Sequence, residues 1–171
     1  MTRSPSFLRT FCACRRGNAA AEMALLVPFL VLLLFGGLEM SYYFYSQHQV
    51  VKGVRDGARF ASRQSFAELN CSGGTASTIP ATVETSIKEM TRTGLPSGGT
   101  ARVPGWVNTD VTVTLSCAAT AITTGIYANE DNAPFVTIDA TVDYPSLFAG
   151  VGVIDSTYSL KASQEAAVMG I

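Results

Sequence analysis

Histidine is nearly absent from this sequence: His48 is the single example among 171 residues. The chain also has no Ser/His/Asp arrangement, no His-Glu-x-x-His motif and no phosphate-binding P-loop. Acid–base and nucleophilic catalysis commonly depend on such groups. We therefore expect a protein that is not an enzyme and that uses no cofactor or metal.

Charged residues are also scarce, at 15% of the sequence, and they are unevenly placed. No Asp or Glu precedes Glu22, whereas four arginines do: Arg3, Arg9, Arg15 and Arg16. Nucleic-acid binding needs a basic surface on the folded domain, and this basic cluster belongs to an N-terminal tail. The pattern therefore argues against a nucleic-acid partner and is typical of a membrane topology signal.

A long apolar run is present, from Ala19 to Leu38, with Glu22 as its one charged residue. Its length suits a helix that crosses a hydrocarbon core of about 30 Å. The positive-inside rule places the arginine-rich N-terminus in the cytoplasm and the chain after Glu39 on the other side. A cleaved secretory signal peptide fits this sequence less well. Signal peptides have a shorter apolar region, and an Ala-x-Ala cleavage site follows that region, which is not the case here.

Glu22 stands inside this apolar run. A carboxylate within a spanning helix costs roughly 2.5–3.5 kcal/mol unless it is paired or protonated. Either Glu22 lies close enough to the membrane interface to stay hydrated, or it has a partner.

The sequence around Glu22 resembles the processing site of type IV prepilins. It reads Arg15-Arg16-Gly17-Asn18-Ala19-Ala20-Ala21-Glu22-Met23. In that family a membrane-embedded aspartyl peptidase cuts after the glycine, and the fifth residue of the mature chain is glutamate. The resemblance implies cleavage between Gly17 and Asn18. The new α-amine of Asn18 would then pair with Glu22 of a neighbouring subunit and set the register between stacked helices.

Further segments point to a more specific family. They are Ala24-Leu25-Leu26-Val27-Pro28, Phe35-Gly36-Gly37-Leu38-Glu39 and Val54-Arg55-Asp56-Gly57-Ala58-Arg59-Phe60-Ala61. Over roughly residues 15–65 the chain looks like the TadE-like family. These are minor pilin-like proteins, or pseudopilins, of tight-adherence (Flp-type, type IVc) pilus systems.

This resemblance implies a minor pilin, because the major subunit of such pili is a much shorter chain that is nearly all helix. Minor subunits prime assembly, cap the tip or are incorporated sparsely. The implied partners are other pilus subunits and minor pilins, the prepilin peptidase, the inner-membrane assembly platform and membrane lipid. The implied location is the bacterial inner membrane, with one span, a cytoplasmic N-terminus and a periplasmic head, or the extracellular pilus after assembly.

An alternative from another class is a membrane-anchored periplasmic binding or adhesion domain, for which Glu22 would be incidental.

Beyond the membrane the pattern stays helical, and we expect one helix from about Asn18 to Ser65. Its apolar positions recur at spacings of three and four, while Lys52 and Asp56 suggest an i,i+4 ion pair on a solvated face. Pro28 and the glycines could allow bending, although membrane helices tolerate both residue types. The apolar stripe is Val50, Val51, Val54, Ala58 and Ala61, and the aromatic residues typical of a membrane interface are Tyr42, Tyr43, Phe44 and Tyr45.

The rest of the chain predicts an α+β head. A short amphipathic helix with Thr78 as its cap and Pro80 in its first turn should end near Gly94, between two loops rich in Ser, Gly and Thr. Period-two patterns predict strands at 111–117 and 136–143, and a less regular one at about 157–168. We expect a pilin-like fold in which a three- to four-stranded antiparallel sheet carries a helix on one face. The expected divisions are a leader at 1–17, the long helix at 18–65 and the head at 66–171.

Four cysteines divide into two pairs. Cys12 and Cys14 lie in the leader, where a Cys-x-Cys pair is too weak a signal for a metal site. Cys71 and Cys117 lie on the exported side and predict a disulfide, with two free thiols as the alternative.

Three further features of the head leave their interpretation open. Asp139 and Asp143 share one face of a strand and would bind a cation or simply be solvated. The loop Glu130-Asp131-Asn132 is rich in oxygen ligands, and calcium binding there has no other support. The apolar segment 147–154 would be buried between strands or would contact a partner or the membrane surface.

Overall fold

A computed structural model describes residues 16–120, 122, 124–128, 132–148 and 158–170. Contacts divide the chain into two compact units, Met1–Ser41 and Tyr42–Ile171. In chain order the elements are α1 Arg16–Ala61, β1 Cys71–Ser72, β2 Thr75–Ala76, α2 Ala81–Thr93, β3 Val111–Cys117, β4 Pro134–Asp143 and β5 Ser159–Ala167. Two 3-10 turns lie at Asn108–Asp110 and Gly125–Tyr127. The predicted α+β class is confirmed.

Helix α1 continues through Pro28 without a break. Within the described part of the chain it is the one helix that is long and apolar enough to cross a membrane, over Ala19–Ala61. The predicted apolar span is therefore helical throughout, and a helix satisfies its own backbone groups, as a lone span in lipid requires.

The end of α1 lies at Ala61, four residues before the expected end at Ser65. There the backbone tightens, because Gln64 donates its N–H to the carbonyl three residues back, on Ala61, at 3.1 Å. The Ser62 hydroxyl also donates to the Arg59 carbonyl at 2.9 Å. Both contacts satisfy carbonyl groups that a helix end leaves without partners, and they stop the helix.

Strands β3, β4 and β5 form an antiparallel sheet with β4 at its centre. Val113 lies opposite Ile138, which in turn lies opposite Gln164 on β5. The predicted strand at 111–117 is confirmed at those bounds, and β4 begins slightly earlier than expected, at Pro134. The first residue of a strand tolerates proline, which has no N–H to donate.

The inner face of this sheet packs against the second half of α1, within the unit Tyr42–Ile171. The alternation predicted from sequence places apolar side chains inward and polar side chains outward on β4. Buried residues that share this core include Val50, Val54, Ala58, Ala61, Val111, Val136, Ile138, Ala140, Val142 and Leu160. The predicted apolar stripe on α1 is thus confirmed, with Val51 only half-buried.

Helix α2 begins later than the sequence predicted. Pro80 itself is the N-cap residue, with extended backbone angles and no side-chain cap, so Thr78 does not cap the helix. The end is as expected: Gly94 adopts a left-handed conformation (φ 86°), and its N–H bonds the Met90 carbonyl at 2.9 Å. Glycine suits this position because it has no Cβ to clash there.

The segment Cys71–Ala76, expected to be a loop, is instead a small β-hairpin. Strand β1 pairs antiparallel with β2, and Ser72 lies opposite Thr75. Both residues between the strands have positive φ, 59° at Gly73 and 78° at Gly74. A Gly-Gly pair between two short strands is the composition that two-residue hairpin turns favour, so the sequence does contain a signal for this hairpin.

Candidate assembly site on the N-terminal helix

The residues implied in processing lie at the start of α1. Gly17 and Asn18 fall in its first turn, and Glu22 follows one turn later with its side chain exposed. From Met23 to Leu38 the large apolar side chains are 41–78% exposed. A stretch this apolar needs lipid or the helices of other proteins as its surroundings.

Gly36 and Gly37 lie in the same exposed stretch. A Cβ added at either position would meet nothing within 4 Å. Their small size therefore serves no packing within the part of this chain that the structure describes.

The glycines further along α1 have a different role. A Cβ on Gly53 would lie 2.8 Å from the Trp106 ring and would also overlap the Thr91 carbonyl oxygen, while a Cβ on Gly57 would overlap the Thr91 hydroxyl. Both glycines therefore allow α1 to approach α2 and the loop after it closely. The interpretation that these glycines permit bending has to give way to one based on close packing.

Asp56, between these glycines, pairs with a residue far away in sequence. Arg102 donates a hydrogen bond from Nη2 to Asp56 Oδ2 at 2.6 Å, and the side chains are 15% and 30% exposed. The predicted pair with Lys52 is therefore wrong, because the helix surface at Asp56 faces the loop that carries Arg102. The contact ties α1 to that loop.

Residues on one side of α1 face the head, and residues on the other side face outward. This holds for one of the segments that carry the family resemblance, Val54-Arg55-Asp56-Gly57-Ala58-Arg59. Val54, Gly57 and Ala58 are buried, Asp56 holds Arg102, and Arg55 and Arg59 are exposed. The head therefore holds α1 through Val54, Asp56, Gly57 and Ala58. The two arginines make no ion pair within the described part of the chain and remain available to a partner.

The aromatic residues after the apolar run are only partly placed as the membrane-interface interpretation requires. The ring centroids of Tyr42 and Tyr43 lie 6.1 and 5.2 Å from that of Tyr144, so both tyrosines pack on the head. Phe44 and Tyr45 are exposed, 54% and 57%. The interfacial interpretation therefore stays a prediction for Phe44 and Tyr45 and does not suit Tyr42 and Tyr43.

Cys71 and Cys117 form the predicted disulfide, with their Cα atoms 5.9 Å apart. It connects the hairpin β1–β2 to the end of β3. The hairpin is short, and such elements are marginal without a covalent or packing constraint. The bridge therefore has a structural role in the head.

A second polar cluster fixes the 3-10 turn at Asn108–Asp110 to α2. Arg92 donates to Glu89 Oε1 at 2.8 Å and to Asn108 Oδ1 at 2.8 Å, and Asn108 donates to the same Glu89 oxygen at 2.9 Å. The hydrogen bonds from Arg92 and Asn108, together with the Arg92 charge, lower the pKa of Glu89 despite its partial burial. The arrangement is a structural brace.

The possible cation ligands that the structure describes are not gathered into a site. Asp139 and Asp143 are exposed on the outer face of β4. Among the described residues no group of three or more His, Cys, Asp or Glu side chains is placed to hold a metal. Glu130 and Asp131 lie outside the described residues, as does most of the apolar segment 147–154; its first residue, Leu147, is 53% exposed.

Part of this chain is similar to a known protein family. Residues 17–59 match the model of the TadE-like protein family. No curated protein and no solved structure matches the chain. The matched segment runs from the expected cleavage position, across the exposed apolar stretch, to the arginines of α1. The resemblance predicted from the sequence is thereby confirmed: residues 17–59 are similar to TadE-like proteins.

Proposed function

We propose that this chain is a minor pilin-like subunit of a tight-adherence pilus. A prepilin peptidase removes residues 1–17, and the mature chain starts at Asn18 with Glu22 as its fifth residue. The family match over residues 17–59 carries the proposal, since it covers both the expected cleavage position and the helix that would enter the filament. The role is structural rather than catalytic.

The exposed half of α1 supports an assembly role. In the bacterial inner membrane its apolar side chains would face lipid, with the N-terminus in the cytoplasm and the head in the periplasm. On incorporation, the same side chains would face the helices of other pilus subunits. The same helix surface would thus contact lipid before incorporation and other pilus helices after it. The assembly platform would move the subunit from the membrane into the pilus.

Glu22 is the one charge available to set the register in this scheme. Its carboxylate is exposed, and no other charged residue lies between Ala19 and Leu38. In a desolvated bundle a lone carboxylate is costly, and a cationic α-amine from a neighbouring subunit would remove that cost. The pair would form at one axial offset between helices and would disfavour the others.

The processing step has a direct test. Intact-mass measurement of the full chain from cells with an active prepilin peptidase should find a species that begins at Asn18. The same cells without the peptidase should give the full-length chain. A full-length chain in both would contradict the proposal.

The role of Glu22 has a separate test that uses a matched control. We expect E22Q to insert into the membrane and be processed normally but to fail to co-purify with sheared pili. The double variant A21E/E22A keeps one carboxylate and moves it by one residue, about 100° around the helix. It should fail in the same way, because the register requires a carboxylate at position 22 and not merely a charge elsewhere on the helix.

Normal recovery of both variants in pili would overturn this role for Glu22. Absence of the unaltered chain from pili, with normal membrane insertion, would favour the alternative of a membrane-anchored binding or adhesion domain.

A further inference from the structure

Strand β5 is an edge of the sheet, and its hydrogen-bonding groups alternate in direction. Val168, just after β5, donates its N–H to the Pro134 carbonyl, so the even-numbered residues of the strand bond to β4. The odd-numbered residues therefore direct their N–H and C=O groups away from the sheet. These are Ser159, Lys161, Ser163, Glu165 and Ala167.

Helix α1 holds this outer edge at two points. Gln47 donates from Nε2 to the Lys161 carbonyl at 2.9 Å, and Met169 donates its N–H to the Ser62 carbonyl at 2.8 Å. Both contacts confirm that the odd-numbered positions face outward. They lie near the two ends of the strand and leave its middle uncovered.

Between these two points lies an open length of edge. In the part of the chain that the structure describes, the N–H groups of Ser163, Glu165 and Ala167 make no hydrogen bond, while the Glu165 carbonyl accepts one from the adjacent Gln164 side chain at 3.0 Å. An exposed strand edge of this kind is a template on which another extended chain can pair.

A groove of about 350 Å³ runs beside this edge. One wall is α1 and the other is β5. The lining residues are Arg55, Ala58, Arg59, Ser62, Gln164, Glu165 and Ala166.

The helix wall of the groove is basic. Arg55 and Arg59 belong to an exposed basic stripe, defined as Lys52, Arg55, Arg59 and Arg63. None of its four cations forms an ion pair with the described residues; the ion pairs found there are Lys88–Glu84, Arg92–Glu89 and Arg102–Asp56. On the opposite wall, the Glu165 carboxylate lies near Thr137, whose hydroxyl donates to it across the outer face at 3.4 Å. Arg55 and Arg59 are therefore available to an incoming anion.

We propose that the middle of the β5 edge, together with Arg55 and Arg59, is a docking site for an extended acidic segment of a partner protein. The segment adds a short strand beside Ser163, Glu165 and Ala167, and its carboxylates reach the basic stripe. Backbone pairing supplies the extended conformation, and the arginines select for acidic side chains. The site is a feature of the head alone and does not depend on cleavage or on Glu22.

The strand edge and the basic helix wall of the groove together indicate which kind of partner segment binds there. A helix has its own backbone groups satisfied and would leave the strand edge unpaired, whereas an extended chain pairs with it. A basic segment would face like charges, whereas an acidic one offsets them. The two contacts from Gln47 and Ser62 also limit the added strand to a few residues.

The test uses the full chain in neutral detergent and a fluorescent peptide of alternating Val and Asp. A peptide with Asn in place of Asp is the charge control. Binding is measured by anisotropy at low and high salt. We expect the acidic peptide to bind, the Asn peptide to bind roughly tenfold more weakly, and the difference to shrink at high salt.

Two variants of the protein, R55Q/R59Q and S163P, separate the effect of charge from that of backbone pairing, and K161Q is the charge control. R55Q/R59Q should weaken binding of the acidic peptide roughly tenfold, whereas K161Q, on the outer face of the same strand, should leave it unchanged. S163P removes an outward N–H without removing a bond to β4, so it should weaken both peptides while the thermal unfolding midpoint is kept. If S163P lowers the midpoint, A167P replaces it.

Equal binding of the two peptides would overturn the proposal, as would unchanged binding in both R55Q/R59Q and the proline variant. Loss with R55Q/R59Q alone would also overturn it, since charge without strand pairing would then explain the binding. Self-association of the chain that the same variants abolish, or binding of short-chain phosphatidylglycerol in place of the peptide, would assign the surface to another occupant.

Discussion

Gly57 of α1 lies directly against the Thr91 hydroxyl of α2, with no room for a Cβ between them. Thr91 is fully buried, and its hydroxyl donates to the Ile87 carbonyl at 2.8 Å, so it has little freedom to move away. The approach of the two helices therefore depends on the glycine. Asp56 and Ala58, on either side of it, fix the same part of α1 to the head.

Replacing Gly57 by alanine should destabilise the head. The added methyl group must displace Thr91 or shift α1, and such overpacking costs about 1–3 kcal/mol. The matched control is G36A, because a Cβ there meets nothing within 4 Å. Chemical unfolding in detergent, followed by the fluorescence of Trp106, measures both. Equal midpoints for G57A and the unaltered chain would contradict the close packing.

Much of the head follows from local sequence pattern. The alternation at 111–117 predicted β3 because a half-buried strand has a period of two, and the three- and four-residue spacing from Val50 to Ala61 predicted the buried stripe of α1. These features depend on one element and the side of it that is buried. A single sequence contains that information.

Apart from the disulfide between Cys71 and Cys117, the features that depend on a distant partner were not predicted. From the sequence alone, Gly57 indicates a flexible point in the helix. In the structure it packs against Thr91, which lies more than thirty residues later in the chain. Asp56 has Lys52 at the helical spacing that local rules favour, yet it bonds Arg102, because tertiary packing decides which neighbours a helix face meets. The open edge of β5 is likewise a property of strand order, which the pattern of one strand does not contain.

The contact between Asp56 and Arg102 should contribute more to stability than an exposed ion pair on a helix. We expect D56N to lower the free energy of unfolding by about 1–2 kcal/mol, because Arg102 is mostly buried and would lose a charged partner. The control is E84Q, which removes the i,i+4 pair with Lys88 and should cost a few tenths of a kcal/mol. Similar losses in both variants, measured by urea unfolding, would show that burial adds nothing to the Asp56 contact.

The disulfide should stabilise the head by restricting the unfolded chain. Cys71 and Cys117 are 46 residues apart, a loop for which the chain-entropy model gives up to about 4 kcal/mol. C71S/C117S should therefore unfold at lower urea concentration, and reductant should affect the unaltered chain but not this variant. C12S/C14S, in the leader, is the control and should unfold like the unaltered chain.

Glu89 connects α2 to the turn at Asn108–Asp110 through its contacts with Arg92 and Asn108. Those hydrogen bonds favour the ionised carboxylate, and they lower the pKa of Glu89 below its ordinary value of 4.5. A carboxyl group whose pKa is lowered on folding binds protons more weakly in the folded state than in the unfolded state. Its contribution to stability is therefore complete above the unfolded pKa and is lost as pH falls through the folded pKa.

The stability difference between the unaltered chain and E89Q should consequently depend on pH. Near pH 6.5 the unaltered chain should be the more stable of the two, because the ionised carboxylate accepts hydrogen bonds from both Arg92 and Asn108. As the pH falls below 4.5, the carboxyl group binds protons first in the unfolded chain and then, below its lowered pKa, in the folded chain. The two unfolding midpoints should therefore approach each other. The control is E84Q, which removes a carboxylate from the same helix without touching the contacts of Asn108. The difference in stability between E89Q and the unaltered chain could instead stay constant from pH 6.5 through the acid range. That result would contradict a stabilising role for the ionised Glu89 carboxylate.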